Sequence, residues 1–323
     1  MPHRPLLCLG CLLLALFATA GPAAAQTTLR ASGDPVRLTD GTVAFAHPTW
    51  SPDGTRLAST QPGYAGLWVL SADGASIRQV TDEPASGFGF TWSPDGRALL
   101  TRVARFEGQR RLDAVKVFDA DTGAAEAVTE YRARMPALPT WSVDGSAILL
   151  PLPDGLEVFA RPTEASAAVR PVPPARPAFV TTRTTLEAVR LGPSGPQTEQ
   201  LLDDRRVLNA VASPDHTQVA FEVMGGDLHV MDADGSNLIN LGPGHRPTWS
   251  PDGRWIAYMR TEDDGERFTA SDLFAARADG SAVVALTQTP GRLEMNPSWS
   301  PDGTRIAFDD LADGALYLLP ITQ

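Results

Sequence analysis

The stretch Pro297-Ser298-Trp299-Ser300-Pro301-Asp302-Gly303-Thr304-Arg305-Ile306-Ala307-Phe308 decides how the rest of the chain is read. Pro301 presets φ near −65°, Asp302 can accept hydrogen bonds from nearby backbone N–H groups, and Gly303 supplies a positive φ, so Ser-Pro-Asp-Gly is a tight turn. Trp299 ends the strand before that turn, and Ile306-Ala307-Phe308 is an apolar strand after it. The same Trp-Ser-Pro-Asp-Gly string stands at Trp50–Gly54, Trp92–Gly96 and Trp249–Gly253. Trp141–Gly145 differs from it by one residue, and Ala212–His216 is a weaker copy. Seven residues after each Trp position stands Leu57, Leu99, Ile148, Val219, Ile256 or Ile306, and the residues beside it are small or apolar. Such strands are buried on both faces, as in sheets stacked face to face.

Most units carry a second turn signal, as in Ala72-Asp73-Gly74, Asp232-Ala233-Asp234-Gly235 and Ala278-Asp279-Gly280, each flanked by apolar alternation. Each unit therefore reads as four strands, a to d, with Trp closing strand a. Units of about 40 residues with four strands predict an all-β, single β-propeller. The Trp positions are 42, 49, 71, 37 and 50 residues apart. The 71-residue interval holds two c-turn-d hairpins, Leu156–Val172 and Leu186–Leu202, the second preceded by a possible strand at Ala178–Thr182. That interval reads as a degenerate blade lacking a proper first strand, which makes seven blades; six blades with one long insertion is the alternative. The last unit stops after strand c, and Pro35–Asp40 resembles Ile77–Asp82, a strand d. An N-terminal strand is thus expected to join the C-terminal blade and close the ring, removing exposed edges.

Residues 1–25 read as a secretory signal: a short basic start, an almost wholly apolar run from Pro5 to about Ala20, and small residues at Ala23-Ala24-Ala25. That run is shorter than the roughly 18–20 residues of a spanning helix, so no membrane span is expected after cleavage, and residues 26–323 form the propeller domain. Both cysteines, Cys8 and Cys11, lie in the leader, which leaves neither disulfide nor thiolate metal site in the mature chain. The whole chain has 38 acidic against 27 basic residues, a net charge of −11. An acidic balance speaks against nucleic acid as a partner.

Pro247–Tyr258 and Pro297–Phe308 resemble the TolB-type (WD-repeat-like) propeller repeat, whose hallmark is P-x-W-S-P-D-G-x-x-I-A-F. The resemblance covers nearly all of the mature chain. It implies a propeller, a periplasmic location and protein binding; similar blades also accompany peptidase domains and occur in sugar-acid lyases. TolB proper carries an α/β domain ahead of its propeller, and the roughly twenty residues between the leader and the first blade leave no space for one.

No chemistry is expected from the repeat itself. Asp53, Asp95, Asp144, Asp215, Asp252 and Asp302 occupy one local frame and read as turn builders. Gly192–Pro196 does not make a G-x-S-x-G elbow. The histidines have no short-range ligand spacing, and Asp119-x-Asp121-x-Gly123 and Glu262–Glu266 read as ordinary loops. Catalytic residues, metal and cofactor are accordingly expected to be none.

The two faces differ. The a–b and c–d turns collect the repeat aspartates on one face. The b–c loops and d–a connectors form the other, with the long, irregular loops Arg102–Asp113 and Thr261–Asp272 on which specificity is normally built. Candidate binding residues there are Arg102, Arg105, Phe106, Arg110, Arg111, Arg132 and Arg134. His47, His245 and Arg246 are placed by their Trp offsets near the mouth of the central channel. Guanidinium groups suit carboxylate or phosphate, so the expected partner is a protein or an acidic glycan. The expected function is a non-enzymatic, exported binding scaffold, most simply for protein in the periplasm; the alternative is a lyase for acidic sugars using the channel mouth.

Overall fold

A computed structural model of the chain describes residues 28–133, 135, 137–152, 155–161, 176–182, 185–203 and 206–323. Residues 1–25, expected to be a leader and holding both cysteines, lie outside the described residues, as does Arg134. No helix among the described residues is long and apolar enough to cross a membrane.

The fold is an all-β propeller of seven antiparallel blades. Blade 1 shows the plan. Strand a is Ala46–Trp50, b is Arg56–Gln61, c is Ala65–Ser71 and d is Ile77–Thr81, paired in that order. The a strands of blades 3 to 7 and 1 touch one another in succession, which puts strand a innermost and the channel among them. Strand b is enclosed on both faces by the neighbouring blades, as its sequence predicts: Leu57-Ala58-Ser59, Ile256-Ala257-Tyr258 and Ile306-Ala307-Phe308 are wholly buried.

The a–b turn explains the repeat. Ser51 Oγ donates to Asp53 Oδ1 (2.6 Å), the same oxygen accepts from the Thr55 N–H (3.1 Å), and the Arg56 N–H donates back to Ser51 Oγ (3.0 Å). The Ser–Asp bond recurs at Ser93–Asp95, Ser142–Asp144, Ser213–Asp215, Ser250–Asp252 and Ser300–Asp302, all at 2.6–2.7 Å. Partial burial opposes ionisation of Asp53, but the hydroxyl and N–H donors outweigh it and hold the carboxyl below its ordinary range. Asp119 and Asp264 likewise accept from the backbone N–H groups two and three residues on, so both acidic loops are turns closed by their own hydrogen bonds.

Tryptophan links the blades. The indole N–H of Trp50 donates to Ser298 O (3.1 Å), that of Trp92 to Thr49 O (3.0 Å) and that of Trp249 to Val211 O (2.9 Å), each acceptor lying on strand a of the preceding blade. Arg305 and Arg56 stack on Trp50 and Trp92 at 4.9 and 5.3 Å, again from the preceding blade.

The ring closes as the sequence requires. Strand c of blade 7, Leu316–Thr322, pairs with two short N-terminal pieces, Arg30–Ala31 and Val36–Arg37, in the registers Ala31↔Ile321 and Val36↔Leu318. Leu29 is buried in the cluster shared by blades 6 and 7.

The long interval differs from its reading in one respect. Ala178–Thr181 contacts the a strands of blades 3 and 5, so it is a true first strand, and Leu186–Gly192 with Gly195–Leu202 is a b–c hairpin. Among the described residues blades 3 and 4 each show three strands. Only four residues separate Leu202 from Val207, the start of blade 5, too few for a further strand and its connection. Blade 4 is therefore degenerate at its outer edge, where loss of a strand leaves the channel wall intact.

Candidate functional site on the long-loop face

Two structures stand on the face of the b–c loops. The first is the hairpin of blade 2, Ala98–Glu107 and Arg110–Asp119, each ten residues long. Its arginines come together around Asp113, and most are answered by acids or carbonyls. Arg102 is buried, donates to the carbonyls of Met135 and Ala137, and lies 3.9 Å from Asp113. Arg111 pairs with Asp113 (2.9 Å) and Arg105 with Glu107 (3.0 Å). Arg132 grips Glu157 of blade 3 through two bonds (2.9 and 2.5 Å), a partner the sequence did not suggest. That grip raises the Arg132 pKa, while burial opposes it. Arg110 is exposed at the tip and has no acid at ion-pair distance among the described residues. Phe106 is 60% exposed beside it.

The second structure is the channel mouth. Strand a of four consecutive blades carries a β-bulge at one position, three residues before the Trp position, and a non-glycine residue in the left-handed region occupies it. These residues are Asn209 (φ 49°) in blade 5, Arg246 (57°) in blade 6, Asn296 (51°) in blade 7 and His47 (55°) in blade 1. Such backbone costs roughly 1–2 kcal/mol for a residue with a Cβ, least for Asn, and a bulge re-aims its side chain. Strand b of the preceding blade holds the bulge in place through the residue ten after its own Trp position. Glu222 Oε1 accepts the Arg246 N–H (2.6 Å), Asp309 Oδ1 the His47 N–H (2.9 Å), and Met259 Sδ the Asn296 N–H (3.4 Å).

The side chains interlock. Glu222 also accepts from Asn209 Nδ2 (2.6 Å) and pairs with His245 Nδ1 (3.2 Å). Burial works to raise the Glu222 carboxyl, but His245, the Arg246 N–H and Asn209 together bring it below its usual range; the same bond raises His245. Asp309, enclosed at 3% exposure, accepts from Asn296 Nδ2 (3.0 Å). Burial pushes it up to about 7, against Asn296, the His47 N–H and Arg246. Burial and the Arg246 charge bring His47 down to about 4, so its ring is neutral at physiological pH. Among the described residues no group of three or more His, Cys, Asp or Glu is arranged to share a metal ion; His47 and His245 instead have separate partners.

An aromatic path joins the two structures. His47 stacks on Tyr64 (5.2 Å between centroids), Tyr64 meets Phe88 edge-on (4.9 Å), and Arg102 lies over Phe88 (5.7 Å). Three residues along the same strand, Arg105 lies over Tyr131 (4.4 Å). Asn209, Glu222, Asn296, Asp309, Tyr64 and Phe88 escaped the sequence reading. The signal for the bulges was the repeated His47-Pro48, Arg246-Pro247 and Asn296-Pro297 two residues ahead of Thr49, Thr248 and Ser298 by count from the bulge residue.

No family model matches the chain. Over 88 residues, 26% of this chain and 13% of the relative, it is 38% identical to the uncharacterized peptidase YuxL of Bacillus subtilis. Over 91 residues, 27% of this chain and 20% of the relative, it is 35% identical to the Tol-Pal system protein TolB of Alcanivorax borkumensis. The chain spans between 10% and 42% of the length of the curated relatives it matches. The solved structure of a putative TolB from Agrobacterium tumefaciens superposes with a TM-score of 0.51 at 20% identity, covering 85% of this chain and 90% of that one. The chain is a seven-bladed β-propeller whose repeats are similar to those of TolB proteins.

Proposed function

We propose that the chain is an exported, non-enzymatic scaffold that binds a protein partner in the periplasm with its long-loop face. The observation that carries this reading is the distribution of exposed apolar side chains. Phe88, Phe106, Leu208, Met224, Phe268 and Leu311 are each more than a third exposed on a b–c loop, a d–a connector or the strand end beside one, whereas the exposed apolar residues beside the c–d turns, Ile77, Leu238 and Val283, include no aromatic. The opposite face presents the aspartate turns. Exposed aromatics beside Arg, as at Phe88 and Phe106, are the residues that anchor protein contacts.

Charge supports the same face. On a chain of net charge −11, residues 102–113 carry four arginines against one Glu and one Asp, so the blade 2 hairpin is a local positive pole for an acidic partner. At the mouth, His245 and Glu222 are joined to each other, and His47 to Asn296 and Tyr64, a fixed surface suited to recognition. The leader-like residues 1–25 support export, and the likeness to a Tol-Pal system protein supports a periplasmic, protein-binding role.

The test is retention of partners from envelope extract by the immobilised mature protein, by an Arg110→Glu/Arg111→Glu variant and by Asp234→Asn on the opposite face. A partner kept by the first and third and lost by the second is expected. Equal retention by all three overturns the reading.

A further inference from the structure

The channel mouth holds a cation that makes no salt bridge among the described residues. Arg246 is half-buried and stands within the arc of bulged residues. Its one side-chain bond is from Nη1 to the neutral Asn209 Oδ1 (3.1 Å), and no carboxylate among the described residues lies at ion-pair distance from it. The two acids nearby are engaged elsewhere. Glu222 accepts from Asn209 Nδ2, the Arg246 backbone N–H and His245 Nδ1. Asp309 accepts from the His47 N–H and Asn296 Nδ2. Burial is the main influence on His47 and on Asp309, and the Arg246 charge acts on both, so the guanidinium lies within electrostatic reach of each. The left-handed backbone that aims it, φ 57°, is a strained conformation for a residue as large as Arg, held by the Glu222 clamp. His245 binds Glu222 through Nδ1 and lies within electrostatic reach of Arg246; Glu222 favours its protonated form, in which Nε2 is a second donor.

We propose that Arg246, assisted by His245, is the receptor for one carboxylate carried by the ligand of the channel mouth, an Asp or Glu side chain of the protein partner. A guanidinium with unused N–H groups in a partly desolvated site fits a carboxylate in a paired, planar geometry. Strand b acids saturated by backbone N–H donors keep it from being quenched internally. The inference rests on the protein-binding reading only for the source of the carboxylate.

The test follows the side-chain Nε–H resonances of Arg in 15N-labelled mature protein. Glutarate and the peptide acetyl-Gly-Glu-Gly-amide are titrated separately at constant ionic strength set with chloride. The Arg246 resonance is expected to shift and saturate with both, while exposed Arg254 and Arg267 drift without saturation. Arg246→Gln should weaken binding at least tenfold, about what one charge-assisted hydrogen bond supplies, and Arg246→Lys should retain part of it, which separates lost charge from lost folding. Absence of saturation, equal responses from Arg254 and Arg267, or undiminished binding by the Gln variant overturns the receptor. Saturation by glutarate with no response to the peptide overturns the acidic side chain as its source. Saturation by both, with no partner retained from envelope extract, upholds the receptor and leaves only the scaffold reading refuted.

Discussion

Replacing Asp309 by Asn should uncover a pH dependence of stability that the native chain cancels internally. Burial lifts the Asp309 carboxyl from 3.8 to about 7, against Asn296, the His47 N–H and Arg246. Burial and Arg246 move His47 the other way, from 6.5 to about 4. An acid raised on folding contributes stability that is complete below its unfolded value and is lost as pH climbs to the folded one, here from about 4 to 7. A base lowered on folding contributes stability that is complete above its unfolded value and is lost as pH falls from about 6.5 to 4. Between pH 4 and 6.5 the folded chain therefore keeps one proton on Asp309 and the unfolded chain keeps one on His47. The two counts match and the slopes cancel.

Each slope alone amounts to one proton, about 1.4 kcal/mol per pH unit, or roughly 3 kcal/mol across the window. Asp309→Asn retains an acceptor for the His47 and Asn296 donors, so its stability relative to wild type should rise with pH by that amount. His47→Asn suits the left-handed backbone, and its stability relative to wild type should fall by a similar amount over the same range. Urea denaturation followed by tryptophan fluorescence at pH 4.5, 5.5 and 6.5, at fixed ionic strength, reads both differences. Differences that do not vary with pH would refute the opposed shifts of Asp309 and His47.

Five other substitutions, four of them in two matched pairs, test the architecture. Trp92→Phe removes an interblade hydrogen bond and the Arg56 stack, whereas the Trp299 indole N–H has no partner; denaturation should show Trp92→Phe costing about 1–2 kcal/mol more than Trp299→Phe. A Cβ at Gly74 (φ +74°) would stand 2.5 Å from Leu38 O, beside the closing strand, while one at Gly63 (φ +76°) would meet open space. Gly74→Ala should therefore cost at least about 1 kcal/mol more than Gly63→Ala and speed amide exchange at residues 316–322. Leu29→Ala empties a fully buried place between blades 6 and 7, and its cost should be about 2–4 kcal/mol in the same denaturation assay.

The repeat made the architecture legible because its parts have short-range causes. A Ser-Pro-Asp-Gly string builds its turn from atoms within five residues, so each copy announces a hairpin without knowledge of its surroundings. Ring closure was legible from counting: a strand d missing at one end and present at the other led to Val36 lying beside Leu318. Blade 4 was harder. Without a Trp to fix its frame, a b–c hairpin and a c–d hairpin have the same pattern, and only the contacts of Ala178–Thr181 with neighbouring a strands tell them apart.

The site was legible by region and not by partner. Offsets from Trp put His47, His245 and Arg246 at the mouth, but the acids that clamp them come from strand b of a different blade, 23 to 262 residues away in sequence. Arginines 102, 105, 111 and 132 were visible as a positive cluster. Their pairing with Asp113, Glu107 and Glu157 depends on side-chain geometry across two blades, which spacing does not encode.

Which side of the ring meets the partner is read most directly by hydrogen exchange of the propeller with and without a partner retained from envelope extract. Protection is predicted on the connector holding Phe88, the hairpin tip around Phe106 and Arg110, and the turn at Met224. Protection confined to the aspartate turns at Asp53, Asp95 and Asp252, with the long loops unchanged, would contradict it.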